Sequence, residues 1–376
     1  MGSAAVEMTD QVSLNRCREI LADHFASQGA EQLDLPFLYP SEELLNLYGE
    51  DLRSRAFLYG DPERGDELCL RPDFTVPVAM THRERGWDRT AMYTYSGPVF
   101  RLQPSGENRP VEYLQAGIER FGDPDQAATD AEVFLSLRKG VELLGIDRIA
   151  ATLGDLSIVI AVLDALEIPD RRREALKRHL WRPARFQDLL DCACNPVVGS
   201  DARQHVLSLG SSIQHQFAEQ AGEVVGSRDI SEVLERLQDL DARQSEPAMD
   251  SGDARLIADV FKVSGPVAGI TEQIRQLTGP AGIDIETTLK RFDARLRHLL
   301  DAGCRAEELH FDAAFGRSLE YYDGFVFEIR KAGTDRYPPL AGGGRYNAMT
   351  TRLGAMQAVP AVGGIVRPEA VLDCLL

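Results

Sequence analysis

Paired metal ligands are missing from the chain. Its six cysteines, at positions 17, 69, 192, 194, 304 and 374, include no CxxC pair, and its seven histidines form no HxxH or HExxH pair. A structural zinc site and a disulfide framework are therefore not expected, and free thiols suit a reducing compartment. Neither a metal nor a cofactor is anticipated. Basic residues are in deficit, 41 against 59 acidic, and the formal charge of −18 gives the whole molecule no field that attracts nucleic acid. Long apolar runs are lacking too. The best candidate, LSIVIAVLDAL at 156–166, is too short for a bilayer and follows a helix-capping Asp155, so it reads as a buried helix. The start, MGSAAVE, opens like a myristoylation signal, but Val6 stands where Ser or Thr is needed, and no signal-peptide pattern follows. A cytoplasmic protein without a membrane partner is expected. Internal repeats and low-complexity tracts are missing as well, which speaks against a solenoid.

What is present is the mix of a globular protein, 44% apolar and 27% charged over 376 residues, with room for two or three domains. Residues 13–29 have the helical spacing of an amphipathic helix, through Leu14, Cys17, Ile20, Leu21, His24 and Phe25. Strand patterns follow near Glu67–Leu70, Met92–Phe100 and Tyr113–Phe121. Thr129 and Glu132 have capping-box spacing for a helix reaching Leu144, with Val133, Leu137 and Val141 inward. From about 150 to 300 the pattern is mostly helical, including a stripe of Ile285, Leu289, Phe292, Leu296 and Leu299. Strands return at 308–315, 321–330 and 360–367. This order predicts an α+β fold in which one antiparallel sheet, flanked by helices, is interrupted by a helical insertion. The expected divisions are 1–150, 151–300 and 301–376. Glycine-, serine- and aspartate-rich pieces near 195–202, 222–229 and 249–253 read as insertion loops. The basic run at 170–185 reads first as a solvated helix face and second as a contact surface.

Polar side chains collect in four stretches. In CLRPDFTVPVA (69–79), Asp73 and Thr75 point the same way if the backbone is extended, a pairing suited to an ammonium group. In GPVFRLQPSGENRPVEYLQAGIERFG (97–122), Arg101 ends one strand, Arg109 lies in the connecting loop, and Tyr113, Gln115, Gly117 and Glu119 share one face of the next. That face is poor core material, and its glycine admits a ligand to the backbone. In GRSLEYYDGFVFEI (316–329), Arg317, Glu320, Tyr321 and Tyr322 crowd the mouth of an alternating strand, beside an Asp323-Gly324 turn or bulge signal. In PPLAGGGRYN (338–347), three glycines precede Arg345 and Tyr346 as a loop, a pocket floor or an anion nest.

Together these stretches resemble the core of the class II aminoacyl-tRNA synthetases, and specifically histidyl-tRNA synthetase. LRPDFT is similar to that family's LRPEGT-type segment, FRLQPSGENRPVEYLQAGIE to its motif 2, and RSLEYYDGFVFE and AGGGRY to its two histidine motifs. The resemblance spans roughly Leu14 to Arg367. It implies a pocket for histidine. Asp73, Thr75 and Gln115 would hold the α-amino end, with Arg101 and Arg317 on the carboxylate side. Glu119 and Tyr322 would grip the imidazole nitrogens, and Tyr321 would support the wall. A site built on such pairs rejects an analogue lacking them by about 10⁴–10⁵-fold.

The departures are as specific as the matches. Leu102-Gln103-Pro104 replaces the xER of motif 2, Val111 replaces another loop arginine, and Ala370 stands where motif 3 has its nucleotide-contacting arginine. Losing one preorganised donor to developing negative charge costs about 2.7–4 kcal/mol, so efficient adenylate formation is not expected. The sequence also ends at Leu376, where an anticodon-binding domain would follow in the family, and no tRNA is expected as a partner. Recognition of the amino acid kept while nucleotide and tRNA residues are lost is similar to the regulatory subunits of ATP phosphoribosyltransferase, which are histidyl-tRNA synthetase paralogues. That resemblance implies a non-catalytic chain in the first step of histidine biosynthesis. Its partner would be a short-form catalytic subunit, its ligand histidine as feedback inhibitor, and its self-association a dimer through residues 13–40. The rival readings are a truncated histidyl-tRNA synthetase and a stand-alone synthetase paralogue.

Overall fold

The computed structural model describes residues 2–48, 50–60, 65–103, 110–194, 246–316, 321–334 and 338–375. Helix α1 (Gly2–Ser27) leads into β1 (Glu31–Gln32), β2 (Leu38–Pro40), α2 (Ser41–Leu45), α3 (Glu50–Arg53), β3 (Leu58–Gly60) and β4 (Glu67–Leu70). Next come α4 (Thr75–Arg85), the long hairpin β5 (Ala91–Phe100) and β6 (Glu112–Phe121), α5 (Gln126–Leu143) and β7 (Ile149–Asp155). A helical stretch holds α6 (Leu156–Ala165), α7 (Asp170–Arg178), α8 (Pro183–Cys194), α9 (Ser251–Phe261), β8 (Ser264–Pro266), α10 (Ile270–Thr278) and α11 (Glu286–Asp301). The chain then returns to the sheet with β9 (Leu309–Asp312), β10 (Phe325–Lys331), β11 (Ala341–Arg345), α12 (Asn347–Arg352), β12 (Ala361–Val366) and α13 (Pro368–Leu375).

Among the described residues one nine-stranded sheet runs β1-β5-β6-β12-β11-β10-β7-β9-β8, and β2-β4-β3 form a small second sheet. The large sheet is α+β as the order of elements predicts. It is mixed, however: the short pairs β1–β5 and β7–β9 are parallel. Successive side chains on each strand serve opposite faces. Ala116 and Ile118 of β6 join the larger core, with Leu21 and Phe25 of α1 and Val133, Leu137 and Val141 of α5. Their neighbours in sequence turn to the other face, where Phe121 packs with Tyr93, Tyr95, Phe74, Tyr346 and Ile365 in a second core beneath α4 and the small sheet. The polar cluster lies on this second face.

Three local expectations change. Asp125, not Thr129, caps α5, accepting from the Ala128 amide at 3.1 Å; Thr129 donates back to the Asp125 carbonyl, and Glu132 pairs with Arg120. The cap therefore lies four residues upstream, and the helix begins at Gln126. Thr75 is not in an extended segment with Asp73 but opens α4. The run Gly342–Gly344 forms neither loop nor nest: it is the interior of β11, a central strand. Glycine is favoured there by space, since a Cβ at Gly343 would sit 2.1 Å from the Gly363 carbonyl oxygen of β12.

Candidate functional site

The site is built on a floor of paired glycines. Register sets Gly117 opposite Tyr95 and Ile365, Glu119 opposite Tyr93 and Gly363, and Gly363 opposite Gly344. A Cβ on Gly363 would fall 1.5 Å from Glu119 Oε2, and one on Gly344 would fall 2.8 Å from the Tyr322 ring. Removing side chains from β12 and β11 thus opens the space that Glu119 and Tyr322 fill.

Glu119 is fully buried, and hydroxyls meet both of its carboxyl oxygens. Oε1 accepts from Thr75 Oγ1 and Tyr95 OH, each at 2.9 Å, and Oε2 accepts from Tyr346 OH at 2.5 Å. Burial pushes its pKa up to about 7. The hydroxyls of Tyr346, Tyr95 and Thr75 work against that rise, and the nearby charge of Asp73 adds to it. Such a carboxyl group sits near the midpoint of its titration at neutral pH, a state suited to exchanging a proton with an imidazole.

Asp73, 3% exposed, forms the second pole. Its Oδ1 accepts from Tyr48 OH at 2.5 Å and its Oδ2 from Tyr321 OH at 3.1 Å, with Arg101 Nη2 3.8 Å from Oδ2. Burial raises its pKa, opposed by Arg101 and the two phenols. Arg101 is anchored by Nε to the Pro72 carbonyl at 2.6 Å. Burial lowers its pKa, but Tyr113, Asp73, Tyr321 and Tyr48 outweigh that, so the guanidinium stays charged. Gln115, 2% exposed, follows the same β6 face, and its Oε1 has no hydrogen-bond partner. A buried orphan acceptor costs about 1–3 kcal/mol, and an arriving donor such as an ammonium group relieves it. Tyr321 and Tyr322 close the wall, with ring centroids 4.7 Å apart, and Tyr321 lies 5.9 Å from Tyr346.

The structure thus brings together Asp73, Thr75, Arg101, Gln115, Glu119, Tyr321 and Tyr322. Arg317 and Arg109 lie outside the described residues, as does Glu320. Thr75 serves Glu119 and makes no bond to Asp73, because the turn into α4 redirects it. Three phenols escaped the sequence reading: Tyr48, Tyr95 and Tyr346. Tyr346 was reachable, since it ends the glycine motif. Tyr95 needed the strand register, and Tyr48 sits in a short turn with no periodic signal.

The positions at which the sequence departs from the synthetase motifs have other roles in the fold. Gln103 accepts from Arg55 Nη2 at 3.0 Å and donates to the Pro110 carbonyl at 2.9 Å, cross-bracing the ends of the β5–β6 connection. Ala370 is 5% exposed within the larger core. Arg367 Nη1 donates to the Pro339 carbonyl at 2.8 Å. Among the described residues, no group of His, Cys, Asp and Glu side chains has the arrangement to hold a metal ion.

Comparison with known proteins gives a consistent picture. The histidyl-tRNA synthetase family model matches residues 6–265 and 237–371. The ATP phosphoribosyltransferase regulatory subunit of Agrobacterium fabrum is 34% identical over 353 residues, 91% of this chain and 92% of that protein. Its counterpart in Rhizobium meliloti is 35% identical over 367 residues, 92% of each chain. Two solved structures share the fold. One, titled as an ATP phosphoribosyltransferase regulatory subunit/histidyl-tRNA synthetase of Bacillus halodurans, has TM-score 0.67 and 21% identity, covering 97% of this chain and 80% of that one. The other, histidyl-tRNA synthetase of Nostoc sp. PCC 7120, has TM-score 0.62 and 17% identity, covering 97% and 72%. The chain belongs to the family of ATP phosphoribosyltransferase regulatory subunits, which is built on the histidyl-tRNA synthetase core.

Proposed function

We propose that this chain is a non-catalytic regulatory subunit that completes ATP phosphoribosyltransferase with a short-form catalytic subunit and makes the first step of histidine biosynthesis sensitive to histidine. The observation that carries the reading is an asymmetry across the sheet end. A buried carboxyl group caged by hydroxyls, a second carboxylate, an orphaned amide oxygen and tyrosine rings converge on one pocket. Beside it, the positions matching nucleotide contacts are an amide in a brace and a buried alanine.

In this reading the ammonium of histidine meets Asp73 and Gln115 Oε1, Arg101 faces the carboxylate, joined there by Arg317 on the strength of the RSLEYYDGFVFE motif alone, and the ring lies between Glu119 and Tyr322. Thr75 acts one step back, fixing Glu119. Feedback follows if the inactive assembly binds histidine more tightly than the active one, since equal affinity shifts nothing. Loss of synthetase activity and the lack of a tRNA partner belong to the same reading. So does a dimer through residues 13–40, supported by the exposed side chains of Phe37 and Leu38, 51% and 45% accessible, at the end of that segment.

The test is reconstitution. A short-form catalytic subunit is assayed for phosphoribosyl-ATP formation alone, with this chain, and with this chain plus histidine. The expected result is activation by the chain and inhibition by histidine that Glu119→Ala abolishes. A chain that neither activates nor confers sensitivity overturns the reading.

A further inference from the structure

Below the aromatic wall of the pocket, on the opposite face of the sheet, four charges are sealed from solvent. Arg345 ends β11, and Tyr346 follows it, so the two side chains leave the strand on opposite faces. Tyr346 reaches Glu119, while Arg345 donates from Nε to Asp130 Oδ1 of α5 at 2.8 Å, with its Nη2 2.7 Å from the same oxygen as an ion pair. Asp130 Oδ2 accepts from Arg295 Nε of α11 at 2.9 Å, and Arg295 Nη1 donates to Asp155 Oδ2 at 2.7 Å. Both aspartates are fully buried and both arginines are 3% exposed at the side chain. The cluster is neutral as two acids and two bases, and each carboxylate is held by directed bonds, the condition under which buried ions are tolerated.

Its contacts lead to the pocket wall. The Arg345 stem lies beneath Gly324, where a Cβ would come within 3.3 Å of it, and the Arg345 carbonyl accepts from the Asp323 amide at 3.0 Å. Those two residues form the turn that follows Tyr321 and Tyr322. The Arg295 guanidinium stacks 4.4 Å from the Phe325 ring centroid, the first residue of β10. Asp155 in turn caps α6, accepting from the Ser157 amide at 3.1 Å.

We infer that this buried Arg345–Asp130–Arg295–Asp155 cluster is the positioning device for the ring-recognition wall, so that residues of the helical stretch that never touch the ligand set the preference for an imidazole. The inference rests on the proposed histidine pocket. A fork-shaped guanidinium fixes two carboxylates at once, which an ammonium group cannot do. Loosening it frees the 321–325 turn and Tyr346 to drift, and ring recognition suffers before backbone recognition.

Arg295→Lys keeps the charge and removes the fork. Gly324→Ala presses on the flexible Arg345 stem without touching a charge, and serves if the first variant fails to fold. Purified wild type and variants, verified by circular dichroism, are titrated with histidine and with β-(2-thienyl)alanine, which keeps the α-amino and carboxylate groups but has no ring N–H. The expected result is histidine affinity lowered at least about fivefold while the thienyl analogue is unaffected, so that the ratio contracts. An unchanged ratio in a folded variant overturns the inference, as does equal weakening of both ligands. Wild type that binds no histidine instead overturns the pocket assignment itself, an outcome read in a separate arm.

Discussion

At the scale of single residues, Glu119 concentrates the chemistry. Its folded pKa of about 7 lies above its ordinary value of 4.5, so the folded state holds the proton more tightly than the unfolded chain. Stability from this group is complete below the unfolded value and is lost as pH rises through the folded one. The difference amounts to about 3 kcal/mol between pH 4 and pH 8. Glu119→Gln, measured by urea midpoint across that range, is expected to flatten the curve and to be the more stable protein at pH 8. Tyr346→Phe removes the donor to Oε2 and is expected to cost about 1–3 kcal/mol in the same assay. The sequence singled out this residue and its six described companions because an unusual density of hydrogen-bonding side chains is legible in side-chain type. It hid the partners Tyr48 and Tyr95, which reach the site only through a turn and a strand pairing.

At the scale of elements, the glycines of β11 and β12 make the room that Glu119 and Tyr322 occupy. The loop and nest alternatives for Gly342–Gly344 failed because three consecutive glycines weaken a strand in isolation, whereas here they face the glycines of β12, which was legible as a strand, and the two pack more closely than side chains allow. Gly363→Ala places a methyl group where Glu119 Oε2 lies, 1.5 Å away, with the Ile118 carbonyl 2.6 Å on another side. The expected outcome is a loss of about 1–3 kcal/mol by thermal or urea unfolding together with loss of histidine binding. Strand and helix positions were otherwise legible, since β5, β6 and β10 keep their alternation and α11 its stripe. The start of α5 was not, because Asp125 and Thr129 both have capping chemistry and only the backbone geometry chooses between them.

For the whole molecule, two faces of one sheet divide the work. One carries the larger core and the four-charge cluster; the other carries the buried polar cluster around Glu119 and Asp73, packed with a smaller core. The fold class was visible in the order of strands and helices. The parallel pairing of β7 with β9 was not, because it joins residues 151–153 to 309–311 across the helical stretch. No helix among the described residues is long and apolar enough to cross a membrane. Ala370 is enclosed in the core, so Ala370→Arg is expected to destabilise the chain by several kcal/mol, read by thermal unfolding, and to leave histidine-dependent ATP–pyrophosphate exchange at background.

The pocket itself is tested most directly by calorimetric titration of the purified chain with histidine, wild type beside Glu119→Ala. Saturable binding at one site per chain in the wild type, absent from a folded Glu119→Ala protein, is the predicted result. No binding by the wild type, or equal binding by both proteins, would contradict the account.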